Sequence, residues 1–327
     1  MNVIPPPSLS DFTPPLPATL VANLTSLNIR TASDLIFASP AELIGKLPAG
    51  SITFAELTHH IAHVTAAFAG PAITADKLIA ELEPRAGQEP HSSSGLPALD
   101  ELIGIGNDFG GAPGGRLIEI SGTSASGKTA LALHIALHHL TSHPAAAALW
   151  LDTTGNLAPA RLASLVSRSS GQSSQPLARL NIATVFDTAT ATHTIATLDA
   201  SSGHGSHVPQ RAPQFRCVVI DTVTALLGPR LSNLSSQGHA EMTSFMRLLR
   251  ATAQKHGLCV LVLNDATTAG HPALGASFTF LTDVTMWLAR LPEQDHELRT
   301  AQVLRSRVST TGARFTFRIR RGRVVVT

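Results

Sequence analysis

Cysteine is scarce in this chain: 327 residues contain two, Cys217 and Cys259, both inside apolar, strand-like runs. That scarcity excludes a disulfide-stapled scaffold, and the pair reads as buried thiols of a reducing compartment. Long hydrophobic runs are also missing. Hydrophobic residues make up 43% of the chain, enough for a core, but no stretch reaches the ~18 uninterrupted apolar residues of a membrane helix. The opening MNVIPPPSLSDFTPPLP lacks a basic n-region and an apolar h-region, so no signal peptide is expected. Acidic residues are absent from 299–327, which hold eight arginines, whereas residues 1–100 hold four basic and nine acidic side chains against an overall net charge of +2. An electrostatic footprint for nucleic acid therefore belongs at the C-terminal end. The fifteen histidines include His134 and His138 at i,i+4, but no carboxylate motif of the H-E-x-x-H kind accompanies them, so no metal other than Mg²⁺ is expected.

What is present is Gly122, Thr123, Ser124, Ala125, Ser126, Gly127, Lys128 and Thr129, the pattern G-x-x-x-x-G-K-[ST]. Its glycines let backbone N–H groups face an anion, Lys128 reaches β- and γ-phosphates, and Thr129 offers a hydroxyl to Mg²⁺. By chance the bare pattern arises in roughly one chain of this length in a hundred. Here it is preceded by the strand-like Arg116–Ser121 and followed by Thr129–Leu140, rich in helix formers and free of Gly and Pro. Strand, glycine loop and helix are the context a phosphate-binding P-loop requires.

Residues 1–16 are Pro-rich and read as a disordered tail. Residues 17–68 form short helical pieces, with Leu20, Leu24 and Leu27 on one face and Ser39-Pro40 starting a new helix. They predict a small all-helical N-terminal domain, suited either to packing and partner docking or to DNA contact. Residues 69–94 are a linker with one amphipathic segment, Ile73–Leu82. From 95 to 327 the pattern is α/β. Apolar runs Ala147–Leu151, Ile182–Phe186, Arg216–Ile220 and Leu258–Leu263 each close on a polar residue, as in a mostly parallel sheet with helices on both faces. Ser167–Gln175 and Ala200–Gln214 are expected to be surface insertions. Val303–Val308, Arg314–Arg320 and Arg323–Val326 alternate and predict antiparallel C-terminal strands.

Asp221 ends one apolar run and is the expected Walker B carboxylate, sharing Mg²⁺ with Thr129. The order Gly95…Asp100…Glu119-Ile120…Gly122–Thr129, then Asp152-Thr153-x-Gly155…Arg161-Leu162, then Asp221, resembles the RecA/RadA strand-exchange recombinases. Asp221-Thr222-Val223-Thr224-Ala225 and Pro272-Ala273-Leu274-Gly275-x-Ser277-Phe278 are most similar to the eukaryotic recombinase paralogues, the D-type among them. The resemblance runs from about residue 17 to the C-terminus. It implies a RecA-like P-loop ATPase core, bound ATP and Mg²⁺, single-stranded DNA and other recombinase paralogues as partners, DNA repair by homologous recombination, and a nuclear address.

Two departures bear on chemistry. The family carries a water-activating glutamate where this chain has Thr154, whose hydroxyl is no general base at neutral pH. After Asn264 the family has an amide or other polar group; here Asp265 would repel a phosphate unless compensated. The loop Gly228–Gly238 holds a single arginine, Arg230, and Ala266–Ala276 adds one histidine, His271. DNA candidates are thus Arg230, Arg305, Arg307, Arg318 and Arg320. In Arg314–Arg320 the odd positions face one side and the arginines the other, which fits a solvated basic face or a surface for a phosphate backbone equally. Two functions follow. One is a weakly hydrolysing, DNA-stimulated ATPase of the paralogue type. The other is a scaffold subunit that binds nucleotide for stability alone. A small-molecule kinase fits less well, for want of a lid of clustered arginines.

Overall fold

The computed structural model describes residues 8–10, 12, 14–68, 74, 93–104, 115–158, 162, 175–200, 214–231, 237–291 and 295–326. Most of the linker with Ile73–Leu82, both expected surface insertions apart from Gln175, Ala200 and Gln214, and Arg161 lie outside them. The chain divides into two compact units, Met1–Leu82 with Arg230–Ser244, and Glu83–Pro229 with Phe245–Thr327. The sequence had assigned Arg230–Ser244 to the second.

The first unit holds α1 (Ala18–Ser26), α2 (Ala32–Phe37), α3 (Pro40–Lys46) and α4 (Phe54–Phe68). Thr31 and Asp34 form a reciprocal capping box at the start of α2. The expected disorder of 1–16 does not hold at the described residues 8–10, 12 and 14–16. Leu9, Phe12 and Leu16 are buried in the same core as Leu20, Leu24, Leu35 and Leu57, and Ser8 bridges to Thr31. Three large apolar side chains set among prolines gain more from burial than a polar tail would, at about 1.5–3 kcal/mol each.

The second unit is built on one sheet of nine strands in the order β3-β2-β4-β5-β1-β6-β7-β8-β9. In chain order its elements are α5 (Pro97–Leu102), β1 (Arg116–Gly122), α6 (Lys128–Ser142), β2 (Ala146–Asp152), α7 (Gln175–Ala178), β3 (Leu180–Thr184), α8 (Thr188–Ala200), β4 (Gln214–Asp221) and α9 (Val223–Leu227). Then follow α10 (Gln237–His256, which begins in the first unit), β5 (Cys259–Asn264), α11 (Gly275–Thr279), β6 (Val284–Arg290), β7 (Leu298–Ser306), β8 (Arg314–Arg320) and β9 (Arg323–Val326). β1 to β6 pair in parallel and β6 to β9 antiparallel. This is the α/β architecture expected from the sequence.

β1, β2 and β5 are buried on both faces almost throughout, so their near-continuous apolar runs are needed. β3 is different. It is an edge strand lying two residues earlier than the sequence suggested, with Ile182 46% and Phe186 70% exposed. Cys217 and Cys259 are register partners on β4 and β5, both free and buried. No described helix is long and apolar enough to cross a membrane.

Candidate nucleotide-binding site

The parallel strands all end on one edge of the sheet, and there the P-loop joins β1 to α6. Gly127, at φ 106, caps α6 in a conformation an L side chain rarely adopts. A Cβ on Gly122 would meet Leu288 O and come within 2.7 Å of Ser126 Oγ. Ser126 Oγ is buried in the loop and has no hydrogen-bond partner. A small cradle with an unmet polar atom at the N-terminus of a four-turn helix suits a phosphate.

Lys128 Nζ donates to Gly122 O (2.8 Å) and Thr123 O (3.2 Å) and pairs with Asp265 Oδ1 at 3.1 Å. The charge of Asp265 is therefore compensated by the P-loop lysine itself. Thr129 Oγ1 donates to Asp221 Oδ2 at 3.0 Å, bringing together the two groups the sequence assigned to Mg²⁺. A hydroxyl and a carboxylate are hard oxygen donors of the kind Mg²⁺ takes beside substrate phosphates and water, so the residues fit the ion. Burial pushes the Asp221 carboxyl up to about 6. The Thr129 hydrogen bond and Lys128 oppose that rise, while Asp152 and Asp265 add to it.

Asp152 ends β2 in register with Asp221 on β4. Its oxygens accept N–H groups from Thr154 (3.1 Å), Gly155 (2.8 Å), Asn156 (3.3 Å) and Leu157 (2.9 Å). Burial raises its carboxyl, but these four donors outweigh burial and hold it below its ordinary value. Thr154 is exposed, and its hydroxyl turns back to Asp152 Oδ1 at 3.3 Å. The position the family gives to its glutamate is thus held by a hydroxyl.

Beneath the loop is a network that sequence reasoning did not assign. Glu119, fully buried on β1, accepts from Ser121 Oγ (2.6 Å), Asn264 Nδ2 (2.7 Å) and Thr285 Oγ1 (2.9 Å). Burial raises its carboxyl, against those three hydrogen bonds. Asn264 Oδ1 in turn accepts from Thr224 Oγ1 (2.8 Å), which also accepts from Asp265 N (2.8 Å). The chain of contacts fixes the ends of β1 and β5 and so the backbone that carries Asp265. The signals available were a lone acid in an apolar strand and the place of Glu119-Ile120 in the family's motif order, neither of which names its partners.

Of the arginines assigned to DNA, the four on the sheet unit, Arg305, Arg307, Arg318 and Arg320, divide between its two ends. Register sets Arg318 opposite Leu298 at the P-loop end of the sheet, while Arg305 sits opposite Thr285 near the other end. Each is also engaged. Arg305 Nη1 donates to Thr279 O (2.9 Å) and Thr282 O (3.1 Å), with its guanidinium 4.6 Å over the Phe280 ring. Arg307 Nη2 donates to Phe280 O at 2.7 Å. Arg318 pairs with Asp295, Arg320 with Glu297 at 2.6 Å, and Arg230 with Glu241 at 3.1 Å. The expected solvated basic face of β8 is thus partly neutralised by two acids lying just upstream of residue 299. Phe315 and Phe317 face the core as the alternation required.

The AAA domain family matches residues 106–268. The chain is 28% identical over 205 residues to the DNA repair protein RAD51 homolog 4 of Bos taurus, covering 60% of each. It is 30% identical over 173 residues to the DNA repair and recombination protein RadB of Thermococcus gammatolerans, covering 53% of this chain and 69% of that one. For RadB of Thermococcus kodakarensis the figures are 28% over 232 residues, 69% and 95%. The chain thus spans about three fifths of the length of the RAD51 homolog 4 relatives it matches. The crystal structure of the RadB recombinase superposes with a TM-score of 0.55 at 23% identity, over 72% of this chain and all of that one, which supports the RecA-like fold.

Proposed function

We propose that this chain, which belongs to the RecA/RadA recombinase family, is an ATP-binding recombinase paralogue acting in DNA repair by homologous recombination. One observation carries the reading: Lys128, Thr129 and Asp221 converge at the end of β1 and α6, next to a cradle with an unpartnered Ser126 hydroxyl. Lys128 would hold the β- and γ-phosphates, and Thr129 and Asp221 would hold Mg²⁺, which neutralises phosphate charge when bound.

Turnover by the isolated chain is expected to be slow. Thr154 is no base, Asp152 is committed to four backbone donors, and Asp265 is paired with Lys128. Single-stranded DNA binding is expected to be weak, because Arg305 and Arg307 lie toward one end of the sheet, Arg318 and Arg320 toward the other, and all five candidate arginines are engaged within the protein. Affinity for DNA would then come from a hetero-oligomer with other recombinase paralogues, in the nucleus. The same facts favour a second reading, a scaffold subunit that binds nucleotide for stability.

The test is ATP binding and hydrolysis by the purified chain, with and without single-stranded DNA, beside Lys128→Ala. DNA-stimulated turnover lost in the variant supports the ATPase. Binding without turnover supports the scaffold. No binding by the wild-type chain overturns both.

A further inference from the structure

Arg299 on β7 is 8% exposed, yet its Nε–H has no hydrogen-bond partner. Its Nη1 donates to His296 O (2.7 Å) and Leu298 O (2.9 Å). A buried donor left unmet is costly, and more so on a charged group. Two further observations indicate what acceptor would meet it.

The first is a facing charge. Register sets Arg299 directly opposite Arg290 across the antiparallel β6–β7 ladder, so both side chains leave the same face of the sheet. Like charges directly opposite are unfavourable; the Arg290 Nη2 contact is to the His296 ring Nδ1 at 2.9 Å, a nitrogen rather than an anion. Burial and Arg290 work against the charge of Arg299, while Asp295 works for it.

The second is the neighbour. A Cβ built on Gly127 would overlap Ile319 Cδ1 and lie 3.8 Å from Arg299 Nε. The unmet donor therefore borders the last glycine of the P-loop. In the sheet, β4 with Asp221 stands two strands to one side of β1, and β7 with Arg299 stands two strands to the other. A phosphate chain seated on the loop has Lys128, Thr129 and Asp221 at its β,γ end. What remains for the far flank is the end that leads to the nucleoside.

We propose that Arg299 is a further nucleotide contact, its Nε–H donating to the α-phosphate of the nucleotide held by the P-loop. This rests on the nucleotide-binding reading above. It assigns the unmet donor, the facing arginines and the closeness to Gly127 to one cause.

The experiment is nucleotide titration of the full chain as wild type, Lys128→Ala, Arg299→Gln and Arg299→Lys, with ATP and with ADP, plus melting of each without nucleotide. Because both nucleotides carry the α-phosphate, Arg299→Gln should weaken ATP and ADP by the same factor, about tenfold or more. Arg299→Lys should recover part of it, keeping the charge but losing the planar fork. Lys128→Ala should weaken ATP more than ADP. Without nucleotide, Arg299→Gln should melt no lower than wild type, since it removes an unmatched buried charge; a purely structural arginine would melt lower.

Wild-type binding with Arg299→Gln unchanged overturns this proposal alone, as does a loss confined to ATP. No binding by the wild-type chain overturns this proposal and the nucleotide reading together. Should Arg299→Gln fail to fold, the Arg299 Nε–H resonance of the labelled wild-type protein, assigned through Arg299→Lys, reads the same contact. A shift on adding ADP supports it, and an unmoved resonance overturns it.

Discussion

Asp152 and Asp221 are the same residue type, at the same register, at the ends of adjacent parallel strands, and they titrate in opposite directions. The difference is in what meets them. Asp152 is surrounded by the backbone donors of its own loop and stays ionised as a clamp on residues 153–157. Asp221 is half-buried, receives one hydroxyl and faces two other acids, one of which, Asp265, shares Lys128 with it. Position at a strand end does not make an acid a metal ligand; the donors left around it do.

The largest effect should come from removing the clamp. Asp152→Ala orphans four N–H groups and should destabilise the protein by about 2–4 kcal/mol, lowering the melting midpoint by roughly 5–12 °C. A calorimetric midpoint within a degree or two of wild type would show that water replaces the carboxylate and that the clamp is dispensable.

The pH response separates the two acids next. Mg²⁺ must displace the proton of Asp221, so Mg²⁺-dependent nucleotide affinity should fall as pH drops below about 6, approaching tenfold per unit. Asp152, held low, adds nothing to that slope. Without nucleotide the sign reverses. The folded state holds the Asp221 proton more tightly than the unfolded chain, so that contribution to stability is full below the ordinary carboxylate range and lost as pH rises through about 6. Asp221→Asn should abolish both slopes. Titrations of the two proteins from pH 5 to 7.5 compare them, and parallel curves would count against Asp221 as the ligand.

The smallest effect tests Asp265. Its pair with Lys128 is 46% exposed on the acid side, and such pairs contribute about 0–1 kcal/mol. Asp265→Asn frees Lys128 for phosphate and should tighten ATP a few-fold. Weaker binding would instead show that Asp265 positions the lysine for the ligand.

Much of the nucleotide site was legible because its determinants are local. The P-loop spacing, the apolar strand before it and the acid closing β4 lie within short stretches of sequence. Asp152 was legible as a strand end but its role was not, since four N–H groups converge only once the loop has folded. β6 was missed: Val284–Arg290 follows Phe278–Asp283 without a glycine or proline to mark its start. Leu9, Phe12 and Leu16 were hidden among prolines, a composition that argues for a tail unless a hydrophobic groove is present to receive them. The pairs Arg318–Asp295 and Arg320–Glu297 are set by hairpin register, and the approach of Arg299 to Gly127 by packing, which no spacing along the chain encodes.

The position of β1 has a consequence for how the site comes into being. The strand that carries the P-loop pairs with β5 and β6 and with no earlier strand: Arg116 lies against Cys259 and Ile118 against Val284. Closing so long a loop adds little entropy cost at equilibrium but slows the search. During synthesis every residue of the phosphate loop leaves the ribosome long before the strands that flank it. A nascent chain halted before Cys259 would carry the whole motif and the paired strands β2, β3 and β4, but neither strand that flanks β1, so the phosphate loop is seated only once β5 and β6 have been made.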